Sequence, residues 1–200
     1  MALFSGVRHC RETWAFAPVL VLVACALGTA SCSSSDTTGN PSSYQAAAIE
    51  ASAGGDQKAA ISLAKKEVAR FSTPDQCSPA NSLNCGTLAL AYSSLAEYQI
   101  LDGDKMAGEA SFASAKRALD WTDRGNKASA TGMVYRDVSE AFWRVGDRAR
   151  AIDVFKEGRA AGGDNWLYTS SAARAVEPGR RAPPEAAPRG HDLPSGTGGR

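Results

Sequence analysis

A chain of 200 residues and 20.9 kDa accommodates one domain with appendages, or at most two small domains. With 44% hydrophobic and 22% charged residues, it lies near the globular average, which excludes wholesale disorder. A formal net charge of +1 and a pI near 7.6 argue against nucleic acid as a partner, because a basic footprint would then dominate the count. The two histidines, His9 and His191, fall outside the stretch with a folded pattern. That stretch therefore lacks the commonest general base and the commonest metal ligand.

In chain order, Arg8 and Arg11 precede an uncharged, largely apolar run from Trp14 to Ser31. A positive start, an apolar middle and small residues before a break predict an export signal over residues 1–31. The alternative is a permanent membrane anchor, since a spanning helix needs roughly 18 or more such residues. Pro18 and the weakly apolar end from Gly28 to Ser31 favour the signal. Next comes Cys32, opening a polar tether over residues 32–41, Cys-Ser-Ser-Ser-Asp-Thr-Thr-Gly-Asn-Pro.

Thr29-Ala30-Ser31-Cys32 resembles the lipobox of bacterial lipoproteins. The resemblance implies a diacylglyceryl group on the Cys32 sulfur, which becomes the new N-terminus. Ser33 after it resembles the outer-membrane sorting pattern. Leu22-Val23-Ala24-Cys25 is a rival site, but lipidation at Cys25 leaves an apolar stretch where a wet, flexible tether is expected. Ordinary cleavage after Ala30 or Ser31, leaving a periplasmic protein, is the remaining alternative.

Past the leader and the lipid site, Cys77 and Cys85 remain, flanking Ser-Pro-Ala-Asn-Ser-Leu-Asn. In an oxidising compartment they are expected to pair, with two free thiols as the alternative. A zinc site needs four ligands, and neither His nor further Cys stands nearby.

Between the tether and a Pro/Gly/Arg-rich tail (residues 176–200), three Gly-Asp pairs punctuate the chain: Gly55-Asp56, Gly103-Asp104 and Gly146-Asp147. Glycine suits the left-handed residue that closes a helix, and aspartate suits the N-cap of the next. Around the third pair, Tyr135, Val138, Ala141, Phe142 and Val145 recur at helical spacing, followed by Ala149, Ile152 and Phe155. Gly162-Gly163 then stops the second helix. The pattern predicts an antiparallel helix pair with a short turn.

That pattern resembles the tetratricopeptide repeat, a helix–turn–helix unit of about 34 residues. In the third unit Tyr135, Val138, Ser139, Phe142, Ala151, Phe155 and Gly158 match the family positions. In the second, Tyr92, Leu95, Ala96, Gly108, Phe112 and Ala115 match, and in the first Tyr44, Ala47, Ala48, Ala60, Ile61, Ala64 and Val68. The resemblance implies an all-α fold over residues 42–175, with about three stacked antiparallel helix hairpins and a capping helix. The Gly-Asp pairs stand 48 and 43 residues apart, so inserts are expected at Ser72–Asn84 and Thr122–Ala130. Asn165–Ala175 is expected to form the cap, with Trp166 and Leu167 covering the end of the stack. An ordinary helical bundle is the alternative.

The chain carries no phosphate-binding loop, no Gly-x-Ser-x-Gly and no His-Glu-x-x-His. Asp102-Gly-Asp104 lacks the later ligands of a calcium loop. Glu97, Asp137 and Glu140 have no nucleophile to serve. The expectation is therefore a non-catalytic module with no cofactor and no metal. In tetratricopeptide stacks the first helix of each pair lines a concave, peptide-holding face. The resemblance assigns to it Gln45 and Ile49, then Ser93 and Glu97, then Arg136, Glu140 and Trp143. The expected partner is an envelope protein or peptide, reached by a chain lipid-anchored to the outer membrane and facing the periplasm. The alternative is a small-ligand-binding lipoprotein serving a transporter, which requires a closed cavity of several hundred cubic ångströms.

Overall fold

The computed structural model describes residues 41–180, which fall in one compact unit. The export signal, both lipidation candidates, most of the tether and the tail beyond residue 180 lie outside the described residues, as do His9 and His191. Within them the chain is all-α. Helices α1 (Pro41–Ala53) and α2 (Gln57–Phe71) form the first hairpin, α3 (Cys85–Leu101) and α4 (Lys105–Asp120) the second, α5 (Arg124–Arg144) and α6 (Arg148–Ala160) the third. A 3₁₀ turn (Asn165–Thr169) and the short α7 (Ser171–Val176) follow. No strand and no helix long and apolar enough to cross a membrane occur among the described residues.

One local device builds all three hairpins. Gly55, Gly103 and Gly146 hold φ of 85°, 92° and 83°, a region where a Cβ costs about 1–2 kcal/mol. Reversal there lets the following aspartate cap the next helix. Asp56 Oδ1 accepts from the Ala59 amide at 2.9 Å, Asp104 Oδ1 from Ala107 at 3.0 Å, and Asp147 Oδ1 from Arg150 at 3.3 Å. Each of these caps satisfies a helix-start amide that otherwise lacks a partner.

The apolar stripes then close against neighbouring hairpins. One core runs from Phe71 through Leu88, Ile100, Phe112, Val134, Val138, Phe142, Val154 and Phe155 to Leu167. Rings meet edge to face, Phe112 on Tyr135 at 5.1 Å and Phe155 on Tyr168 at 5.6 Å between centroids. A second, smaller cluster of Ala48, Ala60, Ala64, Leu95 and Tyr98 joins the first hairpin to α3. The two junctions differ: α3 packs directly on α5, whereas the first hairpin meets α3 through α2. Beyond the core, α4 and α6 are joined by ion pairs, Lys105–Asp147 at 2.8 Å, Arg150–Glu109 at 2.6 Å and Lys116–Glu157 at 3.5 Å.

Two expectations need correction. The insert at Thr122–Ala130 is absent as a loop: α5 starts at Arg124, with Asp123 Oδ1 accepting from the Gly125 and Asn126 amides. Burial of Ala130 against the base of α3, beside Gly86, extends the helix through residues of weak helix propensity. The cap is not one helix from Asn165 to Ala175 but a 3₁₀ turn and a short helix broken at Ser170, whose hydroxyl caps α7. Within it Leu167 and Tyr168 cover the stack, while Trp166 stays 41% exposed. Just past α7, Glu177 pairs with Arg159, and the Arg180 guanidinium lies 3.6 Å from the centre of the Tyr168 ring.

The insert at Ser72–Asn84 is present as a loop between α2 and α3, and Cys77 and Cys85 are bonded across it. Both sulfur-bearing residues are buried in the main core. For a sequence separation of 8, chain entropy gives about 2.5 kcal/mol of stabilisation. Reduction is therefore expected to lower the unfolding free energy by about 2–3 kcal/mol, read as a shift in the urea midpoint with and without dithiothreitol.

Candidate functional site

The concave face expected from the resemblance carries seven residues, Gln45 and Ile49 from the first hairpin and Ser93, Glu97, Arg136, Glu140 and Trp143 from the second and third. The structure separates them. Ser93 is fully buried and donates its hydroxyl to the Leu90 carbonyl at 2.9 Å, so it meets no partner. Burial follows from register, because Ser93 sits on the face of α3 that closes against its neighbours, where only a small residue fits. Glu140 accepts from the Ser171 amide at 2.8 Å and the Ser171 hydroxyl at 2.9 Å. Its carboxylate is thus spent on tying α7 to α5.

Glu97, Arg136 and Trp143 are each half-buried and belong to a wider charged, aromatic patch on α3 and α5. Arg144 reaches Glu97 at 3.2 Å, and Arg136 pairs with Asp137 at 2.6 Å. The Arg136 guanidinium also lies 5.5 Å from the Trp166 ring, and Arg148 lies 5.0 Å from the Trp143 ring. Asp137 and Arg144 complete the cluster. Their i, i+7 spacing on α5, and the matching acid at Glu97, are the sequence signal for it. Gln45 and Ile49 stay exposed on α1, set apart from this patch because α1 does not pack along α3 as α5 does.

Crowding of acids shapes the electrostatics. Burial raises the Glu97 carboxyl from 4.5 to about 7, Asp137 and Glu140 push the same way, and Arg144 and Arg136 oppose them. Asp137 is likewise raised, again chiefly by burial, with Arg136 pulling it down. A carboxyl raised in the folded state binds more protons there than in the unfolded chain. Its stabilising contribution is present below the unfolded value of 4.5 and is lost as pH rises through about 7. The thermal midpoint is expected to fall between pH 5 and pH 8, and Glu97→Gln to flatten that slope. A slope unchanged in the variant would contradict the assignment.

A cleft of about 50 Å³ lies between the first hairpin and α3, lined by Gln45, Ala48, Ala64, Glu67, Thr87, Leu90, Ala91, Ser94 and Tyr98. Glu67 is 8% exposed, and its Oε2 is buried without a hydrogen-bond partner. Its signal in the sequence is an acid inside an otherwise apolar stripe, Ala60, Ala64, Glu67, Phe71, all of them buried.

No grouping of three or more His, Cys, Asp or Glu suited to a metal occurs among the described residues. The fold and this surface together define an all-α chain of stacked helix hairpins carrying an arginine- and tryptophan-bearing patch. Comparison with protein-family models, curated proteins and solved structures finds no match.

Proposed function

We propose that the chain is an exported, lipid-anchored helical repeat protein of tetratricopeptide type, acting as a non-catalytic protein- or peptide-binding module at the bacterial cell envelope. The observation that carries the reading is the pair of arginine–tryptophan contacts that α5 makes with its neighbours, Arg136 with Trp166 of the 3₁₀ turn and Trp143 with Arg148 at the start of α6, which offer charge and flat apolar area. Arginine and tryptophan are enriched among residues that dominate binding energy. Three hairpins, each closed by the same Gly-Asp turn, supply the rigid support such a surface needs. A ligand-delivery role asks for several hundred cubic ångströms of closed cavity. The cleft of about 50 Å³ falls far short of that.

A photo-crosslinking residue in place of Arg148, in the full chain expressed in a bacterial cell, tests the face. A discrete protein adduct is expected, and it is expected to vanish in the Trp143→Ala, Trp166→Ala variant. Arg136→Ala is a poorer choice, because it leaves Asp137 without its cation. An adduct that survives the double change, in a variant with an unchanged thermal midpoint, would refute the face. The anchor is tested apart: Cys32→Ala is expected to abolish incorporation of labelled palmitate, and retention of label would place the lipid elsewhere.

A further inference from the structure

The turns and links of this chain sort to opposite ends of the stack. The three Gly-Asp turns close the hairpins at one end. At the other, the Lys66 ammonium lies 5.6 Å from the Tyr44 ring, which sets the start of α1 beside the last turns of α2. A Cβ at Gly86, at the start of α3, would stand 3.4 Å from the methyl of Thr122 in the α4–α5 link. The Asp164 amide, in the link after α6, donates to the Ala128 carbonyl near the start of α5 at 3.2 Å. The start of α1, the disulfide loop and both later links therefore share one end, and the chain that precedes α1 joins the stack there.

That end exposes apolar side chains among cations. Leu83, just before Cys85 in the disulfide loop, is 75% exposed, and Trp121, next to Thr122, is 40% exposed. Lys65, Lys66, Arg70, Arg117 and Arg124 are exposed around them, against the exposed acids Asp75, Asp120 and Asp123. None of these five cations makes an ion pair among the described residues. The chain joined to this end indicates what covers it. With a lipid on Cys32, ten residues (32–41) join the bilayer to α1, and ten residues span at most roughly 35 Å and about 17 Å when relaxed. Helices of 13 to 21 residues add roughly 20–30 Å before the Gly-Asp end is reached, so the tethered end is the one held against lipid. Tethering also makes docking intramolecular, at an effective concentration of about millimolar, so weak contacts suffice. Tryptophan settles at headgroup level, leucine enters the acyl boundary, and lysine and arginine are drawn to anionic headgroups.

We infer that this end of the stack docks on the phospholipid surface to which the chain is anchored, with Leu83 and Trp121 at headgroup level and the neighbouring cations on anionic lipid. The inference rests on the lipid-anchor reading and goes beyond it, because a tether alone holds a protein near a membrane without orienting it. Docking turns the Gly-Asp end, with Trp143 and Arg148, away from the lipid and toward a partner.

A photo-crosslinking residue in place of Leu83, or in place of Met106, reads the orientation. Met106 is 86% exposed and follows the Gly103-Asp104 turn at the opposite end, so both changes fall on open surface and spare the core. The full chain, processed in a bacterial cell and purified with its lipid, is reconstituted on vesicles of phosphatidylethanolamine and phosphatidylglycerol. Phospholipid adducts, counted by mass spectrometry, are expected at position 83 in excess of position 106 by about tenfold or more. The adduct at 83 is expected to fall severalfold on vesicles of phosphatidylcholine alone, and likewise in an Arg117→Gln, Arg124→Gln chain. Equal adducts at the two positions, or none at 83, in a chain that carries labelled palmitate would overturn docking and leave the anchor standing. An adduct at 83 indifferent both to anionic lipid and to the two arginines would overturn the contacts assigned here. A parent chain without palmitate label would strike the anchor, and docking with it.

Discussion

Phe155→Ala is expected to lower the unfolding free energy by about 3–5 kcal/mol, a large part of what a domain of this size commonly has. Phe155 is fully buried at the centre of the third hairpin, and its ring meets Tyr168 edge to face. Truncation removes the transfer energy of the ring and leaves a cavity between α6 and the cap. The surrounding Val154, Val138 and Leu167, themselves fully buried, have little room to collapse into it. Urea unfolding followed by circular dichroism measures the loss, and a change below about 1 kcal/mol would mean that the cap does not seat there.

Gly158→Val is the second large effect, at about 3 kcal/mol. A Cβ at Gly158 would stand 2.6 Å from the Cβ of Tyr135 and 3.1 Å from Leu167 Cδ1, so α6 and α5 would have to part. Gly158→Ala sharpens the point through its sign. Helix propensity alone favours alanine by about 0.8–1 kcal/mol, yet the close approach is expected to win and destabilise the chain by about 1–2 kcal/mol. A stabilised Gly158→Ala would show that the two helices lie farther apart than described.

Both effects concern positions that repeat spacing had already marked, and the reason is local chemistry. Each Gly-Asp pair combines a backbone that tolerates positive φ with a side chain that caps an amide three residues on, and both properties act within one turn of helix. Tyr135, Val138, Phe142, Ala151, Phe155 and Gly158 were legible for a related reason, since an apolar period of 3.6 can be satisfied only by burial on one face. The Cys77–Cys85 pair was legible from spacing and expected compartment together.

What stayed hidden depends on contacts made at a distance. The first turns of α5 hold Gly125, Asn126 and Ser129, which read as a loop until Ala130 is seen packing beneath α3. The tetratricopeptide register puts Ser93 on the open face of α3, and the packing puts it inside. The first hairpin instead meets α3 through α2, and this changes which face of α3 is closed. Glu140 looked like a free surface charge because nothing local foretells that Ser171 returns to it. Glu67 stands in a helix dense with lysines, and only its place on the Ala60–Phe71 stripe marks it for burial.

Stacked repeats chiefly sense their neighbours, and here the two apolar clusters meet along α2 and α3, with Val68 packed against both. Native-state hydrogen exchange on the parent chain and on Phe155→Ala tests this most directly. Amides of α5 and α6 are expected to lose protection in the variant, while those of α1 and α2 exchange through the same lower-energy opening in both chains. A uniform loss of protection across all six long helices would contradict it, and would make the molecule a single bundle with one indivisible core.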